Sequence, residues 1–215
     1  MTSSTRPSRV VAVAGTATEV GKTWVTARLI ESLRAAGLRV AARKPAQSFE
    51  AVAGEPTDAD VLAAASGEAP HEVCPAHRWY GVPMAPPMAA DVLGLDPPTL
   101  ADLVGELAWP AEPTDVGFVE TVGGVRSPVA TDADSRDLAI AIEPDHVVLV
   151  AHAGLGTIDS VRLGIDALAQ LRVTVLLNRF DPDDDLHQRN LTWLVDRDGF
   201  DVTSDLGLLG GLVAR

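Results

Sequence analysis

Residues 15–23 read Gly15-Thr16-Ala17-Thr18-Glu19-Val20-Gly21-Lys22-Thr23. They follow the apolar run Val10–Ala14 and precede an amphipathic stretch, so a strand leads through a glycine-containing loop into a helix. This order is typical of a phosphate-binding loop, in which backbone N–H groups and the positive end of the helix hold an anion. The general pattern has glycine six residues before the lysine. Thr16 stands there instead, and Gly15 makes the loop one residue longer.

Two side chains of this loop have the chemistry that a nucleotide needs. Lys22 would reach the β- and γ-phosphates, and the Thr23 hydroxyl would ligate Mg²⁺. A Gly-Lys-Thr triplet also arises by chance in ordinary strand-to-helix turns. Because strand, glycines, lysine, hydroxyl and helix occur here together, the sequence predicts nucleotide binding.

Length and composition indicate a globular protein. The chain has 215 residues, of which 47% are hydrophobic and 22% charged. We expect a disordered N-terminal tail over residues 1–8 and a single domain over residues 9–215. The one cysteine, Cys74, excludes an internal disulfide and a cysteine zinc cluster, and is interpreted as a buried structural thiol.

Charge and hydropathy exclude two classes of partner. The formal net charge of −13 argues against nucleic acid, which needs a basic surface. No apolar run approaches the roughly 20 residues that cross a bilayer. Residues 1–8 lack the apolar stretch of a secretory signal. We therefore expect a soluble, cytoplasmic protein that binds neither nucleic acid nor membrane.

Strand-like and helix-like segments alternate along the chain. The predicted strands are Val10–Ala14, Leu38–Ala42, Val116–Val119, His146–Val150 and Val173–Leu177. The predicted helices are Thr23–Ala36, Asp58–Ser66, Met88–Leu93, Thr99–Ala108 with Thr99 as its cap, Ser135–Ile142, Ile158–Gln170 and Leu186–Val195. Residues 70–98 are otherwise read as a loop, and the pattern weakens after residue 198. The alternation predicts an α/β fold: a three-layer sandwich, P-loop NTPase-like, with a mostly parallel sheet and helices on both faces.

Candidate ligand-binding residues follow the predicted strands, where ligands bind in parallel sheets. Lys44 ends a buried strand just before Pro45, which restricts its backbone to extended geometry. A solvated lysine is the simpler interpretation. Ser48 nearby in sequence and Lys22 nearby in the predicted fold favour an anion-binding role instead.

Three carboxylates lie near the same predicted edge. Asp58 and Asp60 fall at the start of a helix, where acidic side chains are favourable as N-terminal charges, and this explains Asp58. We predict Asp60 as a Mg²⁺ ligand, because a phosphate-bound Mg²⁺ usually takes one or two carboxylates. Glu120 is the second carboxylate to which we assign a functional role, since it ends a strand beside the pair Gly123-Gly124.

The run from Gly154 to Asp159 leaves a strand and opens a helix. Its glycines can shape an ordinary turn, with Thr157 and Asp159 as usual helix-start residues. Alternatively, the free N–H groups of that helix start hold a carboxylate or a phosphate. The residues alone do not separate these two interpretations.

The longer loop resembles that of dethiobiotin synthetases, P-loop enzymes of the biotin pathway, in which it reads Gly-Thr-x-Thr-x-Val-Gly-Lys-Thr. The likeness extends to Lys44-Pro45 with Ser48, Asp60, Pro83-Met84-Ala85-Pro86, Glu120 with Gly123-Gly124, and Leu155-Gly156-Thr157-Ile158. These matches span about four-fifths of the chain, roughly residues 10–178.

The resemblance implies an ATP- and Mg²⁺-dependent ring closure. 7,8-Diaminopelargonate and CO2 form a carbamate, ATP phosphorylates it, and the second amine displaces phosphate to give the cyclic urea of dethiobiotin. Such a reaction needs no covalent enzyme intermediate. Catalysis would consist mainly of positioning and of neutralising charge on phosphate and carbamate.

The resemblance also assigns roles by position. Residues Gly15 to Thr23, with Glu120 and Asn178, would bind the nucleotide, and Asn178 would contact its base. Thr23, Asp60 and Glu120 would surround Mg²⁺. Lys22 would hold the transferring phosphate, and Thr18, Lys44 and Ser48 the carbamate. In a homodimer, Gly156, Thr157, Ile158 and Asp159 would meet the carboxylate of the partner subunit's substrate.

Two alternatives stay open at this stage. Val122 and Asp159 differ from the family's usual residues, which is compatible with a related P-loop synthetase that acts on another substrate. A non-catalytic nucleotide switch, similar to the partitioning ATPases, is the other. Those proteins usually have a second lysine near the start of the loop, and this loop has none there.

Overall fold

A computed structural model describes residues 5–51 and 54–215. The strands are β1 (Arg9–Gly15), β2 (Val40–Arg43), β3 (Gln47–Ser48), β4 (Trp79–Tyr80), β5 (Val116–Glu120), β6 (His146–His152), β7 (Val173–Asn178) and β8 (Val202–Thr203). The helices are α1 (Lys22–Ala35), α2 (Asp58–Ser66), α3 (Pro70–Val73), α4 (Pro86–Val92), α5 (Leu100–Gly105), α6 (Ser135–Ala141), α7 (Thr157–Ala167), α8 (Asp185–Thr192) and α9 (Leu206–Val213). A 3-10 turn covers Ala76–Arg78 and a π-helical turn covers Trp193–Arg197.

The central sheet has the order β2-β5-β1-β6-β7-β8, and its neighbouring strands run parallel. Alternate residues of β1 enter two different cores. Val11 and Val13 pack in the core that contains residues of α1, α2 and α9, whereas Val10 and Ala12 pack in the core that contains residues of α4 to α7. This arrangement confirms the predicted α/β sandwich with helices on both faces.

The parallel strands bring their carboxyl ends to one edge of the sheet. β1 lies between β5 and β6, so that Val13 pairs with Glu120 and Gly15 with Val150. From β1 the chain crosses to β2 at one edge of the sheet, returns to β5 beside β1, and then passes to β6 on the other side of β1, so that the direction of the winding reverses around β1. Ligands of such sheets bind at this point.

Most predicted elements have observed counterparts, and the differences have local causes. The predicted strand Leu38–Ala42 begins two residues later, at Val40. The segment read as a loop contains α3 and the strand β4, which pairs with β3. The last helix, α9, has three glycines among its eight residues and therefore a poor helical signal in the sequence. In the part of the chain that the structure describes, no helix is both long enough and apolar enough to span a bilayer.

Pro7 and Ser8, which the sequence assigned to a disordered tail, already contact the domain. Residues 1–4 of the expected tail lie outside the described ranges. Pro7 is buried over Gly117, where a Cβ atom would come within 2.5 Å of the Pro7 ring. The Ser8 N–H donates to the carbonyl of Thr114 at 2.9 Å. Contacts with the domain thus begin before the expected boundary at residue 9.

Cys74 is buried, in agreement with its interpretation as a structural thiol. Burial raises the pKa of this thiol to about 12. A thiol with so high a pKa is almost entirely protonated at neutral pH and is a poor nucleophile.

His146 lies buried at the amino end of β6, on the edge of the sheet opposite the strand carboxyl ends. Its Nε2 is 3.0 Å from Thr174 Oγ1, and that hydroxyl donates to Asp201 Oδ2 at 2.6 Å. Nδ1 has no hydrogen-bond partner among the described residues. Burial and then the positive charges of Arg172 and Arg9 lower the pKa of His146 below its ordinary 6.5, while Asp201 opposes them.

We expect the fold to lose stability as the pH falls below the ordinary histidine pKa. The unfolded chain takes up a proton there that folded His146 resists, so acid favours the unfolded state. Urea unfolding at about pH 7.5 and about pH 5.5 measures this loss. The variant His146→Gln lacks the titrating group and should lose less between the two pH values. Equal losses of stability in the wild type and the variant would show that His146 does not cause the pH dependence.

Candidate nucleotide and substrate site

A cavity of about 640 Å³ opens at the carboxyl edge of the sheet. Its polar wall comes from the loop of residues 15–23, the segment after β2 and the start of α2. Its apolar wall comes from Pro83, Met84, Ala85, Val122 and Pro128. The predicted residues Thr18, Glu19, Gly21, Lys22, Thr23, Lys44 and Ser48 all line it.

The loop presents free backbone donors at the start of α1. Gly21 is the N-terminal cap, and neither a capping side chain nor an acidic residue occupies the first turn. Gly21 has φ +93°, and a Cβ atom there would lie 2.2 Å from Asn178 Nδ2. That amide donates to the carbonyl of Val20 at 2.8 Å. The end of β7 thus fixes the loop, and glycine is required where the two meet.

Lys22 extends from α1 into the mouth of the loop. Its ammonium donates to the carbonyls of Gly123 at 2.8 Å and Ala17 at 3.3 Å. The turn after β5 lies close enough for this because Gly124 has no side chain, where a Cβ atom would meet the Thr16 carbonyl at 3.0 Å. Burial, and then the charge of Lys44, lowers the pKa of Lys22 to about 8. Glu120 and Asp58 partly offset this lowering, but both hydrogen-bond acceptors of the ammonium are neutral carbonyls, so an entering anion would be the first charged group that it contacts directly.

Lys44, Asp58, Glu120 and Thr23 form what we call the carboxylate cluster. The Lys44 ammonium is 2.6 Å from Asp58 Oδ2 and 2.6 Å from Glu120 Oε1. The Thr23 hydroxyl lies 2.9 Å from Asp58 Oδ1 and 2.8 Å from Glu120 Oε1. Lys44 and Glu120 are almost completely buried, whereas the Asp58 side chain is 44% exposed.

The electrostatics of the carboxylate cluster keep Lys44 charged. Burial alone would lower the pKa of Lys44, but Glu120 and Asp58 outweigh burial and raise it above its ordinary value. In the same way, burial would raise the pKa of Asp58, but Lys44 and the Thr23 hydrogen bond hold it below its ordinary value. Lys44 and Asp58 are therefore both charged at neutral pH.

Asp58 belongs to the cluster, whereas Asp60, which the sequence predicted as a Mg²⁺ ligand, lies outside it. Thr57 caps α2, and Asp60 Oδ2 accepts hydrogen bonds from Thr57 N and Oγ1, both at 2.8 Å. This is a capping box, in which a threonine pairs with an acidic residue three positions later. The box turns Asp60 back onto its own helix, while Asp58, in the first turn, faces Thr23 and Lys44.

Lys22 and Lys44 are the only lysines in the sequence, and the other fifteen basic residues are arginines. Both lysines line the cavity, and both are buried. Outside the cavity, every lysine or arginine position in the chain is an arginine. The two ammonium groups are thus confined to the candidate site.

The oxygen donors of the carboxylate cluster suit a hard divalent cation. Mg²⁺ is usually held by one or two carboxylates together with phosphate oxygens and water. Asp58 and Glu120 supply two carboxylates, and Thr23 supplies a hydroxyl within hydrogen-bond distance of both. The chemistry of this donor set therefore fits Mg²⁺.

The predicted residues that lie outside the loop and the carboxylate cluster fall in two other places. Asn178 lines a second cavity of about 500 Å³ beside the loop, together with Trp24, Phe180 and Leu206. Gly156, Thr157, Ile158 and Asp159 form the start of α7 and line neither cavity. Within the single chain, the structure does not bring them to the loop.

Sequence reasoning missed Gln47 and Arg179 as well as Asp58. The Gln47 side chain accepts from Ala59 N at 2.9 Å and donates to Thr57 Oγ1 at 3.2 Å, which holds the start of α2 against the site. A signal existed for Asp58, since Thr57 with Asp60 three residues later predicts a capping box. Arg179 has no comparable local signal.

The fold and the site together define a P-loop protein of the NTPase class. A family model described as an AAA domain matches residues 9–210. Chloroplast FtsY from Physcomitrella patens has the same general fold, with a TM-score of 0.53 at 18% identity over 94% of this chain and 59% of that one.

The chain belongs to the dethiobiotin synthetase family. It is 39% identical to the ATP-dependent dethiobiotin synthetase BioD of Anaeromyxobacter dehalogenans over 178 residues, which cover 80% of this chain and 78% of that protein. The protein of the same name from Caulobacter vibrioides is 39% identical over 161 residues, 73% of this chain and 72% of its own.

Proposed function

We propose that this chain is an ATP-dependent dethiobiotin synthetase that carboxylates 7,8-diaminopelargonate and closes its ring. The observation that carries this proposal is one cavity in which a phosphate-binding loop faces Lys44, the carboxylate cluster and an apolar wall. A nucleotide switch needs only the loop. A synthetase also needs room and charge for a second reactant next to the γ-phosphate.

ATP would lie across the loop. Its β- and γ-phosphates would accept from the uncapped N–H groups at the start of α1 and from the Lys22 ammonium. Its base would enter the second cavity, where Asn178 lies between apolar walls from Trp24 and Leu206. The apolar lining suits the faces of a purine, and the adjoining loop suits the phosphates.

Thr23, Asp58 and Glu120 would hold Mg²⁺, which supplies charge neutralisation on the phosphates when bound. Lys44, Thr18 and Ser48 would bind the carbamate. The apolar chain of the substrate would run along Met84 and Val122. These residues would orient the carbamate oxygen toward the γ-phosphorus, and Lys22 and Lys44 would offset the negative charge between them.

The atoms balance without a covalent link to the protein. One amine of the substrate adds to CO2 and loses a proton, which gives a carbamate. The carbamate oxygen takes the γ-phosphoryl group and releases ADP. The second amine then attacks the carbonyl carbon and loses a proton, phosphate leaves, and the cyclic urea forms. Each step requires close placement of two reactants, which is what the shared cavity provides.

The second subunit of a homodimer would complete the substrate site through Gly156, Thr157, Ile158 and Asp159. The first turn of α7 has no capping side chain, and the hydroxyl of Thr157 is buried without a hydrogen-bond partner in the described residues. Leu155 beside it is 93% exposed. Free N–H groups at a helix start suit the distant carboxylate of the substrate. Light scattering should give the mass of two chains.

Purified protein tests the proposed reaction directly. ADP release should require both diaminopelargonate and bicarbonate, and mass spectrometry should detect dethiobiotin with labelled carbon from the bicarbonate. ATP consumption that is independent of both compounds would overturn the proposal. Consumption with a different amine or carboxylate would point to the related synthetase instead.

A matched pair of variants tests the assignment of Asp58. Asp58→Asn should lower turnover on the order of 100-fold, because it removes a charge that faces Thr23 and Lys44. Asp60→Asn should keep turnover within about twofold and change mainly the helix start, by about 1 kcal/mol. Steady-state kinetics and thermal unfolding measure the two effects. The reverse order of activities would restore Asp60 as the functional carboxylate.

A further inference from the structure

The two cavities meet at a single basic residue. Arg179 follows the last residue of β7 and lines both the loop cavity and the second cavity. Gly21 is the other residue common to the two. Of the described residues around the second cavity, Arg179 alone is basic. Arg179 therefore lies where the cavity at the phosphate loop adjoins the apolar cavity.

The backbone of Arg179 is in a conformation that arginine rarely adopts. Its φ is +55°, in the left-handed region that favours glycine. Such strained residues persist where the surroundings fix them, and they cluster at functional sites. Here the preceding residue is fixed, since Asn178 is bonded to the loop through the Val20 carbonyl. The hydrogen bond of Asn178 to the loop thus places the backbone of Arg179 directly beside the loop, in spite of its strained φ.

Arg179 also has no internal counter-charge. The side chain is exposed, and within residues 5–51 and 54–215 it makes neither an ion pair nor a side-chain hydrogen bond. By contrast, Arg162 and Arg189 are each paired with an aspartate. In a chain with a net charge of −13, an unpaired arginine between two ligand cavities is a site for an anion that comes from outside.

A nucleotide has its anion at that place. With the phosphates on the loop and the base in the apolar cavity, the α-phosphate lies between them. We propose that Arg179 binds the α-phosphate of the nucleotide and thereby joins the loop to the base cavity. This inference rests on the proposed function for the orientation of the nucleotide, and it assigns to Arg179 a side-chain contact in addition to those of the backbone N–H groups of the loop.

The variant Arg179→Gly separates a binding role from a structural one. Glycine relieves the left-handed strain, so the melting temperature should stay equal or rise. Isothermal titration calorimetry with ATP, ADP, AMP and adenosine then compares ligands that differ only in their phosphates. We expect the variant to bind ATP, ADP and AMP about tenfold more weakly than the wild type does. Its affinity for adenosine, which has no phosphate, should stay within about twofold of the wild type.

Two further proteins sharpen the test. Arg179→Lys keeps the charge and should recover part of the affinity. Arg189→Ala removes an exposed arginine on α8 and should bind every ligand as the wild type does. In the complete reaction, Arg179→Gly should raise the KM for ATP and leave the KM for diaminopelargonate unchanged.

Each other outcome has a definite meaning. Unchanged nucleotide affinity in Arg179→Gly, or an equal loss for adenosine, would overturn the α-phosphate contact while leaving the proposed synthetase intact. A wild-type protein that binds no nucleotide would overturn both. Phosphate-dependent binding without dethiobiotin synthesis would support the contact and overturn the proposed reaction alone.

Discussion

Replacing Lys22 with alanine should abolish dethiobiotin synthesis, with turnover at least about 10³-fold below the wild type. Its ammonium is buried at the mouth of the loop, with two carbonyls as its only hydrogen-bond partners among the described residues. No other lysine of the chain can take its place, because Lys44 is held by two carboxylates. Single-turnover measurement of ADP release follows the chemical step directly.

The fold should survive this change. Removal of Lys22 leaves no carboxylate unpaired, so the expected loss of stability is small, about 1 kcal/mol. Lys22→Met keeps the length of the side chain without its charge and should be as inactive as Lys22→Ala. Appreciable turnover in either variant would remove Lys22 from the phosphate site.

Replacing Lys44 with alanine should have two separate effects. Turnover should fall about 10³-fold, because the carbamate loses its cation, while the Kd for ATP stays within about threefold. The free energy of unfolding should fall by about 3–5 kcal/mol, since Glu120 is completely buried and would lose its counter-charge. Titration calorimetry and urea unfolding measure the two effects independently.

A double variant separates the effect of Lys44 on stability from its effect on turnover. In Lys44→Ala with Glu120→Gln, the buried charge at position 120 is removed, so stability should largely return. Turnover should stay lost, because this variant lacks both the Lys44 ammonium and a carboxylate of the proposed Mg²⁺ site. The amide of a glutamine at position 120 still offers an oxygen to Thr23. Recovery of turnover together with stability would mean that Lys44 serves only the fold. A pure nucleotide switch would lose little function in either variant.

The parts of the molecule that were predictable have local signals. The loop, Lys44 and Glu120 each follow an apolar strand, and parallel strands place such residues at one edge without further information. Asp58–Ser66 was predicted with its observed bounds, because the acidic first turn marks its start and Gly67 its end.

What the sequence left undetermined depends on geometry between distant segments. Choosing between Asp58 and Asp60 required the direction in which each leaves α2, and the capping box settles that direction. Arg179 becomes notable only because β7 ends against the loop, some 150 residues earlier in the chain. The helix α9 is stabilised by packing near α1 and by the cap at Asp205. Its glycines give it a weak helical signal in the sequence, so it was not predicted.

The confinement of lysine to the site has a practical consequence. Reagents that acylate primary amines can react with this protein only at its amino terminus, Lys22 and Lys44. With a pKa of about 8, Lys22 is partly neutral and nucleophilic in mild alkali, whereas the ion-paired Lys44 is not. The fraction of label found on Lys22, as distinct from the amino terminus, therefore reports whether the nucleotide site is open, and amine coupling to a surface would disable the molecules that it captures through Lys22.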